Sequence, residues 1–277
     1  VGTPGTPSTD FGTYLTAQAY LDAEGAPRDG RRTCVIEPFT SAVIVNNLKG
    51  LFVPQDAIGS QYKKGMMGRD TGGMDWKMDQ NIASHTFGSF AGTATTSTTA
   101  GTGYLTSGWA STSTISITST GAVSLLAGDV ITIDGVYAVN PQNRQAYGSN
   151  KLRNFVVKSA ASGTGATFDV VVSPAVISAG QFQNVTIPST STTATVNFYN
   201  KAGAVSPQNI IMHKSAFALG CADLELPEGV HFAGRAADKD AGMSIRVVRQ
   251  YTINNDSIPT RLDVLYGWAP LYPELAC

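Results

Sequence analysis

Two neighbouring stretches decide the fold, Met243-Ser-Ile-Arg-Val-Val-Arg-Gln-Tyr-Thr-Ile253 and Arg261-Leu-Asp-Val-Leu-Tyr-Gly-Trp268, and Asn254-Asn-Asp-Ser-Ile-Pro259 separates them. In both stretches apolar side chains recur at every second position, which is the period of a β-strand with one face fit for burial. These positions are Ile245, Val247, Tyr251 and Ile253, followed by Leu262, Val264, Tyr266 and Trp268. Because Asn, Asp and Pro favour a chain reversal, the sequence predicts a long β-ribbon here.

The composition predicts a soluble chain with more than one compact part. Its 277 residues exceed the usual size of one domain, so we expect two units, or one unit with a large insertion. Hydrophobic residues make up 42%, near the globular average. The sequence has no run of about 18 apolar residues, so it predicts no membrane span.

Charge is sparse, which bears on possible partners. Charged residues are 14% of the chain and the net charge is -1, whereas soluble domains average about 25% charged residues. Nucleic-acid-binding proteins usually carry a concentrated basic face. The sequence therefore predicts no electrostatic attraction to a phosphate backbone and no sequence-specific binding to nucleic acid.

The cysteines indicate a reducing compartment. Cys34, Cys221 and Cys277 are widely spaced and form neither a disulfide framework nor a CxxC metal motif. We expect reduced thiols in a cytosol, with a disulfide between two of them as the open alternative. No secretory signal is recognisable at the start of the sequence.

The first part of the sequence predicts helices and short strands. Ser8-Thr-Asp10 offers N-caps for a helix that runs to Glu24 and ends at Gly25. A strand at Thr33-Cys-Val-Ile36 then leads into a second helix. The apolar face of the second helix comprises Ile44, Leu48, Leu51 and Phe52.

The continuation of this region is less regular. Gly50 offers an alternative end for the second helix, before Leu51. Residues 54–73 are predicted as a loop-rich crossover with one short helix, and residues 74–78 as a strand.

An uncharged tract follows, because residues 80–128 contain no Asp, Glu, Lys or Arg. Thr, Ser, Gly and Ala dominate Thr93 to Thr120, a mixture that excludes a long helix and suits a flexible tract or β structure with hydroxyl groups outside. Trp109, Ile115 and Ile117 favour partial order.

Strand signals then recur at near-regular intervals, which predicts a small all-β barrel or sandwich. They lie at residues 130–133, 136–139, 155–157, 167–172, 185–187 and 195–199. Asp134-Gly135 predicts a two-residue hairpin between the first two strands. Helical and mixed character returns at Pro207 to Ala222, so the β part is predicted to be an insertion.

Several segments together resemble coat proteins of the tailed-phage P22 type. They are Ala19-Tyr-Leu-Asp-Ala-Glu-Gly-Ala-Pro27, Gly50-Leu-Phe52, Ala127-Gly-Asp-Val-Ile-Thr-Ile-Asp-Gly-Val-Tyr-Ala-Val-Asn-Pro141, Ala222-Asp-Leu-Glu-Leu-Pro227, Pro273-Glu-Leu-Ala276 and the ribbon described above. The resemblance covers nearly the whole chain, although no single motif is diagnostic alone.

The resemblance implies an α+β chain with the HK97-like capsid fold, represented by its C-terminal portion, and an inserted all-β barrel domain. On this interpretation residues 1–8 are a linker, residues 9–88 the first segment of the capsid core and residues 89–205 the inserted domain. Residues 206–277 form the second core segment, which ends in the long β-ribbon.

The same resemblance also implies an N-terminal arm, an extended hairpin and a spine helix, normally placed before the region that this sequence covers. Two interpretations are open: the sequence is the C-terminal portion of a longer coat protein, or the shell assignment is incomplete.

Signs of catalysis are weak. His85, His213 and His231 are far apart and in no metal-ligand spacing. There is no Gly-x-Ser-x-Gly motif, and the acidic groups at residues 223–228 and 238–240 lack the ligand density of a calcium loop. We expect no catalytic residues, no cofactor, no metal and no enzymatic activity.

One polar run is a candidate contact element, the loop from Asn140 to Arg153 inside the predicted insertion. Its cations Arg144, Lys151 and Arg153 stand in surroundings nearly free of charge. Two interpretations are open, a solvent-exposed loop and an inter-subunit contact loop that meets a neighbour's carboxylates across a local two-fold axis. Such inter-subunit contacts are what the resemblance implies for this loop.

The sequence therefore predicts a major capsid protein that self-assembles into an icosahedral head shell enclosing phage DNA. Scaffolding and portal proteins are further expected partners, with no membrane involved. The expected location is the virion, after assembly in the host bacterial cytoplasm. A receptor- or carbohydrate-binding fibre or adhesin module is the alternative, although the sequence lacks the repeats expected of one.

Overall fold

A computed structural model describes residues 2–6, 8, 10–48, 67, 71–97, 108–148, 150–187, 193–199, 202–238 and 242–277. The fold is mostly β with few helices among these residues. Contacts divide the chain into one unit of residues 1–212 with Cys277 and a second unit of residues 213–276. No described helix has the length and apolar character needed to cross a membrane.

The first unit contains both α-helices of the described residues. In chain order the elements are α1 (Phe11–Ala23), β1 (Arg32–Ile36), α2 (Pro38–Leu48), β2 (Asp75–Met78), β3 (Ser84–Thr86), β4 (Ser89–Phe90), β5 (Ala94–Thr96), β6 (Ser113–Ser119), β7 (Ala122–Leu125), β8 (Val130–Ile133), β9 (Tyr137–Ala138), β10 (Phe155–Val157), β11 (Ala161–Thr164), β12 (Thr167–Ser173), β13 (Val185–Thr186), β14 (Val196–Phe198), β15 (Val205–Pro207) and β16 (Ile210–His213).

The second unit contains strands β17 (Phe217–Ala222), β18 (Phe232–Asp238), β19 (Met243–Arg249), β20 (Thr260–Asp263) and β21 (Leu265–Pro270). Two short 3-10 helices, Ile253–Asn255 and Pro273–Leu275, complete it.

Helix α1 confirms the first predicted helix and its cap. The Asp10 carboxylate accepts a hydrogen bond from the Gly12 amide at 3.0 Å, which satisfies one of the free N–H groups at the helix start. The helix buries Tyr14, Ala17 and Leu21 on one side. It ends one residue before Glu24, close to the predicted stop.

The predicted strand and second helix are present as β1 and α2. Strand β1 pairs in parallel with β2, and β16 lies on its other side. Ile44 of α2 is fully buried. The continuation of α2 to Leu51 and Phe52, and most of the predicted crossover at residues 54–73, lie outside the described residues.

A six-stranded sheet is the largest element of the first unit, in the order β14-β8-β10-β12-β6-β5. Each neighbouring pair is antiparallel. The two end strands also meet, since Thr95 bridges Thr195 and the Thr96 amide donates to the Ala194 carbonyl at 2.8 Å. We call residues 94–198 the β module.

The β module encloses the main core, because alternate side chains of its strands point to the same side. Members include Ile115, Ile117, Val123, Leu125, Ile131, Ile133, Phe155, Val157, Val170 and Val172, each at most 3% exposed. The strands predicted at residues 130–199 are confirmed at β8, β9, β10, β12, β13 and β14.

Residues 80–97 and 108–128 of the uncharged tract are described, and they include strands β3 to β7. In β6, Ile115 and Ile117 face the core, while the hydroxyl side chains of Thr114, Ser116 and Thr118 lie on the opposite face. Thr118 shares a hydrogen bond of 2.8 Å with Thr167, and Ser116 donates to Asp169 at 2.5 Å. The prediction of β structure with hydroxylated outer faces is confirmed here.

The hairpin predicted at Asp134-Gly135 is wrong. The turn itself exists, because Gly135 has a φ of 79° and the Val136 amide donates to the Ile133 carbonyl at 3.1 Å. However, β8 already has β10 and β14 as its two neighbours. The chain therefore leaves this sheet after the turn, and β9 pairs with β13 instead.

The helical character predicted at Pro207 to Ala222 is also wrong, because this region forms β15, β16 and β17. The β-branched pair Ile210 and Ile211 favours a strand. Pairing with other strands of the chain decides the outcome, as β16 lies beside β1 and β17 beside β21.

The terminal ribbon is confirmed in part. Strand β19 pairs antiparallel with β20, with Val247 opposite Leu262. The predicted second strand is nevertheless divided at Val264 into β20 and β21. Strand β20 pairs with β19, whereas β21 pairs with β17. Val247 is half-buried, but the other predicted apolar positions of the ribbon are exposed, with Leu262 at 70% and Trp268 at 71%.

Candidate functional site: the basic loop and the end of the first helix

The loop from Asn140 to Arg153 has an ordered tip. The Asn140 amide donates to the Gln145 carbonyl at 3.0 Å, and the Arg144 amide donates to the Asn140 carbonyl at 2.8 Å. The side-chain oxygens of Asn140 and Asn143 accept from the amides of Gln142 and Gln145. Asparagine side chains commonly stabilise tight turns in this way.

The stem of the loop is held by backbone bonds to the segment that precedes the tip. The Ala138 amide donates to the Lys151 carbonyl at 2.8 Å, and the Arg153 amide donates to the Val136 carbonyl at 3.0 Å. In extended chain, residues two apart point to the same side. Lys151 and Arg153 therefore project together, away from the side of Leu152.

The two stem cations contact the C-terminal end of α1. Arg153 Nη1 forms an ion pair with Glu24 Oε1, and the two side chains are 14% and 24% exposed. Lys151 Nζ lies 4.5 Å from the centroid of the Tyr20 ring, within the usual range of a cation–π contact.

Tyr147 adds a third contact to the same helix end. Its hydroxyl donates to the Ala23 carbonyl, one of the last carbonyls of α1. Such carbonyls lack partners within the helix, and the C-terminal end of a helix carries partial negative charge. A hydroxyl donor and two cations therefore suit this end of α1.

Arg144 lies apart from these contacts, at the loop tip. It is exposed, has a left-handed φ of 58°, and its Nη2 donates to the Gln181 carbonyl at 3.3 Å. Of the three predicted contact residues, the structure thus brings Lys151 and Arg153 together on α1 and leaves Arg144 outward.

The same helix end carries a second group of cations. Arg32 is 1% exposed, and its Nη2 lies 2.7 Å from Asp22 Oδ1. Arg28 pairs with the other oxygen of Asp22. Hydrogen bonds from Arg28, and then from Arg32, outweigh partial burial and lower the pKa of the Asp22 carboxyl.

A separate polar pair joins β3 to the β module. His85 Nε2 lies 2.9 Å from Asp129 Oδ1, and the Asp129 side chain is 1% exposed. The amides of Leu126 and Gly88 donate to Asp129 Oδ2 at 2.8 Å and 3.2 Å. Sequence reasoning considered His85 but missed Asp129, whose position as the first charged residue after the uncharged tract was the available signal.

The remaining candidates for chemistry are scattered. No group of three or more His, Cys, Asp or Glu that could hold a metal ion occurs among the residues that the structure covers. The three cysteines are free, and burial raises the pKa of the Cys34 thiol to about 12. His213 is buried and far along the chain from His85.

Comparison with known proteins identifies a family. The family described as P22 coat protein, gene protein 5, matches residues 2–277. No curated protein matches the chain. The family match confirms the resemblance deduced from the sequence.

Proposed function

We propose a domain arrangement and an assembly mechanism for this chain, which belongs to the P22 coat protein family. The chain is a major capsid protein that forms the phage head shell, and its place is the virion capsid. Neither the described residues nor the comparisons favour the fibre or adhesin alternative. Coat protein families are structural rather than typically enzymatic, and we propose that this chain has no catalytic activity.

Within the subunit, the arrangement that we propose is an HK97-like capsid core with an inserted β-barrel domain at residues 89–205. Residues 1–8 are the linker, and residues 9–88 and 206–277 are the two core segments. The meeting of the end strands of the six-stranded sheet supports a barrel, since closure removes free sheet edges.

Strand pairing on either side of the β module supports an insertion. β3 pairs with β15, with Thr86 opposite Val205, and the Phe87 amide donates to the Ala204 carbonyl at 2.9 Å. The chain therefore enters and leaves the module side by side, which is the geometry expected of a domain inserted into another.

Expression of residues 84–207 alone tests the inserted domain, because this fragment keeps both crossing strands. An independent domain has its own core, so we expect β-type circular dichroism and one cooperative melting transition. A fragment that stays unfolded, or that melts without cooperativity, would contradict the proposed boundaries.

For the shell itself, the mechanism is repeated contact between copies. Interfaces of standard size bury about 800 Å² on each partner, and several such interfaces per subunit act together in a closed shell. Scaffolding and portal proteins are proposed as further partners. The net charge of -1 supports enclosure of DNA without sequence-specific binding.

The loop of Arg144, Lys151 and Arg153 is the proposed inter-subunit contact element. Arg144 lies exposed at the tip, whereas Lys151 and Arg153 contact the C-terminal end of α1. Matched charges across a two-fold axis fix register more than they add affinity.

Charge reversal tests the contact loop. Arg144→Glu is expected to block shell formation, and reversal of the opposing carboxylate to Lys is expected to restore it. Lys158→Glu, on an exposed position of the same module, serves as the control. If assembly is indifferent to reversal of Arg144, Lys151 and Arg153, the contact role is wrong.

A further inference from the structure

The stem of the basic loop and the end of α1 are distant in sequence but make three contacts of different kinds. The contacts join Tyr147 to Ala23, Lys151 to Tyr20 and Arg153 to Glu24. In the first and third, the partners are 124 and 129 residues apart in the chain. The β module is thus tied to α1 through residues other than those of the β3–β15 crossing.

The partial burial of the ion pair between Arg153 and Glu24 makes it sensitive to substitution. Glu24 pairs with Arg153 through Nη1, while Arg153 Nε is buried without a hydrogen-bond partner among the described residues. Removing one member of a partly buried pair leaves the other charge uncompensated, which costs more than losing an exposed pair.

The other two contacts, those of Tyr147 and Lys151, require a particular orientation of the side chains. The Tyr147 hydroxyl meets one of the last helix carbonyls, and Lys151 lies over the face of the Tyr20 ring. Both fix where the stem crosses the helix. The backbone bonds to Ala138 and Val136 hold the stem against the β module at the same time.

We propose that the stem and the end of α1 form a latch that fixes the orientation of the β module on α1, and thereby the angle at which subunits meet. Tyr147, Lys151 and Arg153 on the stem, with Tyr20 and Glu24 on the helix, are its positioning residues. This proposal rests on the shell-forming function, and it is independent of whether Arg144 contacts a neighbour.

A charge-swap cycle in the unassembled subunit tests the contact itself. Arg153→Glu and Glu24→Arg are each expected to lower the melting temperature by about 4 °C, and the double swap is expected to recover most of the loss. Lys158→Glu is the matched control and is expected to leave the melting temperature unchanged. A double swap no more stable than the single variants would overturn the latch.

Shell shape tests the consequence, under conditions in which the unsubstituted protein forms shells. The single variants are expected to give open or irregular particles by electron microscopy while keeping the far-ultraviolet circular dichroism of a folded subunit. The double swap restores closed shells. Tyr147→Phe, which removes only the hydroxyl, is expected to shift particle shape in the same direction.

Failure of the latch and failure of the contact loop give different results. If Arg153→Glu and Glu24→Arg both form regular shells, the latch does not control the angle between subunits. This conclusion holds whether or not Arg144→Glu assembles. If Arg144→Glu assembles normally while the latch variants do not, the latch stands and the tip contact is wrong.

Discussion

Asp129 combines deep burial with several hydrogen-bond donors around its carboxylate, so its substitution is expected to be costly. Its carboxylate accepts from His85 and from the amides of Leu126 and Gly88. Loss of an acceptor would leave buried donors unpaired, and this costs more than loss of an exposed hydrogen bond.

We therefore expect Asp129→Asn to lower the free energy of unfolding by about 1–3 kcal/mol. Urea unfolding followed by circular dichroism measures this change in the free energy of unfolding. Asp169→Asn is the control, because Asp169 lies exposed on the same module and pairs with Ser116. Equal stability of the two variants would mean that Asp129 has no special role.

Asp22 provides a prediction for acidic pH. Its pKa is lowered by Arg28 and Arg32, so the folded state binds the proton more weakly than the unfolded state. Its contribution to stability is present above the unfolded pKa of about 3.9 and is lost as pH falls through the lower folded value.

Asp22→Asn is accordingly expected to be less stable at pH 7 and to lose less stability between neutral and strongly acidic pH. Chemical denaturation at a series of pH values measures both effects. Arg28→Gln should raise the pKa of Asp22, and its loss of stability toward acidic pH should lie between that of Asp22→Asn and that of the unsubstituted protein. Identical pH slopes for the variant and the unsubstituted protein would contradict the assigned ion pairs.

At the scale of elements, local signals predicted the strands better than their partners. Asp134-Gly135 does form a turn, but β10 and β14 already pair with β8, so no hairpin follows. The final ribbon is divided at Val264 for a related reason, because its two halves find different partner strands. Pairing depends on the whole sheet, which local sequence does not encode.

Strand β10 allows a matched test of the module core. Phe155 is 0% exposed, whereas its neighbour Val156 on the opposite face is 39% exposed. Phe155→Ala is expected to lower the free energy of unfolding by about 3–5 kcal/mol, and Val156→Ala by about 1 kcal/mol or less. Similar losses measured by urea unfolding would mean that the two faces of β10 are assigned wrongly.

At the scale of the whole molecule, the sequence predicted the family and the kind of function, since the family match covers residues 2–277. It could not predict where the basic loop docks. Glu24 and Arg153 are 129 residues apart, and opposite charge alone does not distinguish one distant carboxylate from another. Only the folded chain brings the loop stem to the end of α1.

Electron microscopy of the purified protein in negative stain tests the central claim most directly. A protein that self-assembles into a head shell should yield closed shells or curved shell fragments. A uniform population of monomers or trimers, under all assembly conditions tried, would contradict it.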